Sequence, residues 1–171
     1  MPIDIQPPRI RSEESPRDIL SADFRSMGVI PIRGGWGYTI EDSVIIDKND
    51  PIAPKGIPFD GVGLEYIFVE KRIYEELIIF QPEDDRYSGV EWKLLKQELR
   101  SFSGRSYDVL TFEVTALPDS VWEELKAEWE GPKGYGSSGF DADEHMMKRD
   151  SRTIRYVTEY YFDITSFYGS K

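Results

Sequence analysis

The densest run of candidate ligands and acid–base groups is DADEH, where Asp141, Asp143, Glu144 and His145 fall within five residues. Hard divalent cations take oxygen-rich sets of this kind, and a cation held there would activate water for hydrolysis. The calcium-loop pattern is not met. Met146 stands where that loop turns on glycine, and Arg152 stands where it needs a bidentate glutamate. Met146, Met147 and Lys148 read instead as the start of a helix whose first turn carries acids, a favourable placement against the helix dipole. His145 is the only histidine, so any imidazole acid or base must be this residue. Ser137 and Ser138 lie nearby, but the glycine-flanked elbow of a serine hydrolase is absent. With 32 Asp and Glu in the chain, the availability of paired carboxylates marks no particular dyad.

Gly134, Gly136 and Gly139 in GYGSSGF have the spacing of a dinucleotide-binding fingerprint. That fingerprint needs a strand before the glycines and a helix N-terminus to receive the pyrophosphate. Here a helical pattern precedes them and acids follow, and acids would repel phosphate.

A third pattern sets large aromatics among glycines: Trp36 and Tyr38 in GGWGY, and Tyr135 and Phe140 in GYGSSGF. Glycine-rich loops with aromatic anchors resemble the adaptable recognition loops of protein binders. The charge distribution points the same way. The 171 residues carry a formal charge of -11, and the excess lies in two blocks. Residues 41–85 hold twelve acidic against four basic side chains, and residues 118–150 hold nine against four. An acidic field opposes nucleic acid and anionic membranes and speeds encounter with a basic protein. The expected binding residues are therefore the anchors Trp36, Tyr38, Tyr135 and Phe140, with Asp84, Asp85, Asp141 and Asp143 as charge partners. No catalytic residue, metal ligand or cofactor is expected. The absence of cysteine excludes disulfides, thiolate metal sites and thiol redox chemistry. The first twenty residues lack the apolar run of a signal peptide, and the expected location is cytoplasmic.

The elements that must position these groups follow from pattern and punctuation. Residues 1–26 are expected to form an N-terminal arm, with a short helix opened by Ser15 and Pro16 and running to about Phe24. A single domain is expected over residues 27–171, beginning near Met27. VIPIR and VIID read as short strands, residues 48–61 as a loop, and LEYIFV as a strand giving way to a helix near Glu70. In residues 89–101, Trp92, Leu95, Leu99 and Phe102 recur at helical spacing while Val90, Trp92 and Leu94 alternate; the capping pattern of Ser88 and Glu91 favours helix. DVLTFEVTA is the clearest strand, and SVWEELKAEWE after Pro118 is a helix with Val121, Trp122, Leu125 and Trp129 on one side. TIRYVTEYYFDITSF alternates as a strand with one wet face and is expected to bend near Tyr160 and Tyr161. Together these give an α+β fold, a mainly antiparallel sheet with a few helices packed on one face. The function expected is that of an acidic, non-enzymatic domain of inhibitor or immunity type that binds a basic protein. The alternatives are a small divalent-metal hydrolase using residues 134–145, or a structural subunit of a larger assembly.

Overall fold

Two alternating strands form the centre of the fold. In β5 (Arg105–Pro118) every second residue from Leu110 to Ala116 is apolar, and in β6 (Ile154–Asp163) every second residue is apolar or aromatic except Thr158. Burying that column puts Leu110, Phe112, Val114 and Ala116 beside Ile154, Tyr156, Tyr160 and Phe162 in one core. The two strands pair antiparallel from Tyr107 opposite Asp163 to Ala116 opposite Ile154 without a register shift, so the bend expected at Tyr160 and Tyr161 does not occur. The computed structural model describes residues 1–23, 30–53, 56 and 58–169. The expected helix end at Phe24 and domain start at Met27 lie outside the described residues.

β4 (Tyr87–Phe102) pairs antiparallel with β5 and is joined to it at Ser103 and Gly104, both with positive φ, as a tight right-twisted hairpin requires. This corrects the helix expected over residues 89–101. The helical recurrence is broken by pairing along β5, and the strand alternation was masked by irregularities at Ser88–Glu91 and Leu94–Lys96. On the far side of β6, β3 (Val44–Ile46) runs parallel to its end and β2 (Ile32–Gly34) pairs antiparallel with β3. β1 (Ile3–Asp4) runs parallel to the start of β6. The path across the sheet is β2-β3-β6-β5-β4, with β1 off it.

Among the described residues four α-helices complete the domain: α1 (Pro16–Asp23), α2 (Gly61–Tyr74), α3 (Asp119–Glu130) and α4 (Ala142–Arg152). The α+β architecture expected from the sequence is the one observed. α2 corrects the reading of LEYIFV as a strand. Asp60 caps the helix by accepting from the Gly63 N–H, and Leu64 to Val69 are already helical. They look strand-like because polarity does not mark the inward face: the buried stripe of Glu65, Phe68, Val69, Arg72 and Ile73 carries two charged residues, while apolar Val62 and aromatic Tyr66 lie on the exposed side. α2 ends in a wider turn at Glu75–Ile79, where the Phe80 N–H reaches back five residues to the Glu75 carbonyl.

The N-terminal arm is laced into the domain. Besides β1, it contributes buried Ile10 and Leu20 to the main core, which scattered prolines and charges did not foretell. A smaller core gathers Leu117, Val121 and Leu125 under Trp122, where α3 meets the end of the β4–β5 hairpin. Among the described residues no helix is long and apolar enough to cross a membrane.

Candidate functional site

The structure divides the expected binding residues into three groups. Trp36 and Tyr38 belong to the core, which corrects their expected role as surface anchors. Trp36 is 6% exposed and packs against Phe68, 6.0 Å between ring centres. The glycines around it serve close approach. Gly37 has φ +80°, its carbonyl accepts from the Tyr161 N–H at 2.8 Å, and a Cβ there would press on the Tyr161 carbonyl and on Val44.

Tyr38 lies over Arg72, a charge buried within the core. The guanidinium carbon sits 4.2 Å from the Tyr38 ring centre and 3.5 Å from that of Tyr160. Nη1 donates to the Trp36 carbonyl at 3.1 Å; Nη2 donates to Thr158 Oγ1 at 2.9 Å and to the Glu159 carbonyl at 3.0 Å. Nε faces Glu76 Oε2 at 3.5 Å, and the Tyr38 hydroxyl donates to that same oxygen at 2.6 Å while accepting from the Ile10 N–H. A buried charge persists only with such a set of partners. Burial, followed by the negative charge of Glu76, raises Tyr38, which therefore remains a donor at every ordinary pH. The cluster ties β6, α2, the GGWGY loop and the N-terminal arm together.

A second buried pair lies where α2 crosses β5. Glu65 and Asp108 are 1% and 5% exposed, and Gln97 Nε2 donates to both Asp108 oxygens, at 3.2 and 3.0 Å. Two carboxyl groups meet in such a place by sharing a proton. Burial, then a hydrogen bond to Asp108 and its charge, push Glu65 up to about 9.

Tyr135, Phe140, Asp141 and Asp143 come together with residues the sequence left in the background. Trp129, from the last turn of α3, stacks on Tyr135 at 4.6 Å and meets Phe140 edge-on at 5.5 Å and His145 at 5.1 Å. The loop between the helices is wound in successive turns beneath this cluster. Gly134 is tucked so close that a Cβ would stand 2.1 Å from the Trp129 carbonyl. Gly134 thus packs on the end of α3, whereas Gly136 and Gly139, at φ +86° and +83°, turn the chain in open space. Asp141 caps α4, its Oδ1 accepting from the Glu144 N–H at 3.1 Å. His145 is buried, with Nδ1 3.1 Å from Glu128 Oε1, so that nitrogen carries the proton. Lys148 donates to the other Glu128 oxygen at 3.0 Å. Hydrogen bonds from His145 and then Lys148 hold Glu128 below the usual carboxylate range. Among the described residues no three His, Asp or Glu gather in a set able to hold a metal ion.

Two depressions flank this helical hairpin. One, of about 270 Å³, is lined by Trp122, Leu125, Lys126, Trp129, Glu130, His145, Met146 and Arg149, and its wall is mostly apolar. The other is wider and shallower, and Glu128, Asp141, Asp143 and Glu144 outnumber Lys133 and Lys148 along it. Tyr135 projects beside them, 67% exposed although stacked on Trp129. Asp84 and Asp85 occupy an exposed turn just before β4, and Arg86 after them accepts the Asp119 N–H at the foot of α3. The chain matches no protein-family model, no curated protein and no solved structure. What sequence reading missed is the organising role of Trp129 and His145. The spacing of Trp122, Leu125 and Trp129 placed one face of α3, but their partners lie across a loop.

Proposed function

We propose that the chain is an acidic, non-enzymatic recognition domain of inhibitor or immunity type, acting in the cytoplasm. It binds a basic protein on the face built by α3, α4 and their connecting loop. One observation carries this reading. A single helical hairpin presents an apolar hollow, a rigidly stacked but exposed tyrosine and an acidic border together. Stacking on Trp129 restricts the Tyr135 ring before any partner arrives, so ordering it on binding costs little entropy. The acids along α4 would speed encounter with a cationic surface, and the hollow would accept an apolar or aromatic side chain at the centre of the contact. The metal-hydrolase alternative draws no support from the geometry, because Asp141 is committed to capping α4 and His145 faces Glu128.

The test is affinity capture with the tagged full chain from its native lysate, run beside Asp143→Lys/Glu144→Lys. The expected result is a basic protein retained at low salt, released at high salt and lost with the charge-reversed variant. Capture of no basic protein, or equal capture by both chains, contradicts the reading.

A further inference from the structure

β4 ends the path of strands across the sheet, and among the described residues its outer edge pairs with no other strand. Such an edge carries a row of unpaired N–H and C=O groups. It also carries Leu94, Leu95, Leu99 and Phe102, exposed by 37%, 46%, 50% and 56%. The hairpin lies outside the two acidic blocks: residues 86–117 hold five basic and four acidic side chains.

The decisive detail is the bulge. Leu94 stands opposite Phe112 and Lys96 opposite Thr111, so Leu95 is an extra residue in β4. The extra residue shifts the alternation. Glu91, Lys93, Glu98 and Arg100 share one face, opposite Thr115, Glu113, Val109 and Tyr107; Trp92, Leu94, Gln97 and Leu99 share the other, opposite Val114, Phe112, Leu110 and Asp108. Without it Glu91 and Arg100, nine residues apart, would point to opposite faces.

We propose that a second copy of this chain adds to the edge, β4 against β4 and antiparallel, about a two-fold axis between Leu95 and Lys96. In that register Glu91 stands opposite Arg100 of the second copy, and Lys93 opposite Glu98 of the second copy. Each pair occurs twice by symmetry. On the other face Trp92 meets Leu99 of the second copy, and Leu94 meets Gln97. Each of these four opposed pairs lies on a matching face, the bulged Leu95 falls opposite Lys96 of the second copy at the axis, and both charged pairs are of opposite sign, the arrangement that stabilises antiparallel neighbours. Glu98 now bonds Arg100 on its own strand at 2.6 Å and pairs with Lys96 at 3.3 Å; these are solvent-facing contacts, readily exchanged. The product is one continuous sheet through two domains. The contact leaves α3 and α4 out of the paired edge, so it does not rest on the proposed partner surface.

The experiment is sedimentation equilibrium of the full chain with three variants. The wild type sediments as a concentration-dependent dimer. Lys93→Glu and Glu98→Lys, which each set like charges opposite one another twice, weaken the dimer by about tenfold or more. Lys93→Glu/Glu98→Lys restores it, because the swap re-forms the pairs in reverse. Circular dichroism matching the wild type shows the variants folded. A monomeric wild type, a dimer indifferent to the single reversals, or a double variant no better than the singles overturns the proposal; pairing of this edge with an unrelated strand would give the first result.

Discussion

Arg72→Met should lower stability to urea unfolding by about 3–5 kcal/mol, the loss that follows when one partner of a buried ion pair is removed. Arg72 is completely inaccessible, donates to three acceptors, the Trp36 carbonyl, Thr158 and the Glu159 carbonyl, and pairs with the Glu76 carboxylate. Methionine keeps much of the side-chain length but donates nothing, leaving Glu76 with its charge in the core. A domain of this size has about 5–15 kcal/mol in all, so the variant is expected near the edge of folding. Arg72→Met/Glu76→Met separates causes. If the unpaired carboxylate dominates, the double variant regains most of the loss, since apolar groups of similar volume replace buried ion pairs at small cost. Tolerance of the single change would show that Arg72 does not hold the core together.

The sequence made β5 and β6 legible for a plain reason: each has one face in the core and one in water, so alternation survives in the residue order. β4 was not legible because neither face is fully buried and Leu95 interrupts the period, leaving Trp92, Leu95, Leu99 and Phe102 to imitate a helix. α2 was half hidden for another reason: its buried stripe includes Glu65 and Arg72 while Val62 and Tyr66 face outward, so polarity does not mark the face that meets the core. The candidate site was legible in part. Tyr135, Phe140, Asp141 and Asp143 fall in one neighbourhood because a short loop joins α3 to α4. Trp36 and Tyr38 resembled them in composition and went to the core instead, since what decides is the surface each loop meets. Arg72 and Glu76, four apart and directly before the buried Ile73 and Leu77, did leave a trace: charges embedded in a run otherwise destined for burial.

Glu65→Gln should make the protein more stable, increasingly so as pH rises above 4.5. The Glu65 carboxyl has a pKa raised from 4.5 to about 9 by burial and by Asp108, so folding takes up a proton there. The sign follows. This contribution is fully present below the unfolded value of 4.5 and is lost as pH rises towards 9, by up to about 1.4 kcal/mol per pH unit. Glutamine is a permanent counterpart of the protonated acid and can donate to Asp108 at any pH. The variant should match the wild type near the unfolded value and exceed it by on the order of 3 kcal/mol at mildly alkaline pH, read from urea midpoints across a pH series. Equal stability of the two proteins throughout would show that the pair shares no proton.

The claim that the α3–α4 face recognises a basic protein is tested most directly by the kinetics of that complex, measured with the captured partner over a range of ionic strength. Steering by the acidic border predicts an association rate that falls steeply with added salt while dissociation changes little, because screening acts on the encounter beyond a Debye length of about 8 Å. Tyr135→Ala should do the reverse. It should leave association nearly unchanged and speed dissociation by an amount equivalent to ~2 kcal/mol, as loss of a central aromatic anchor does. An association rate indifferent to salt, or a Tyr135→Ala complex that dissociates at the wild-type rate, would contradict the account.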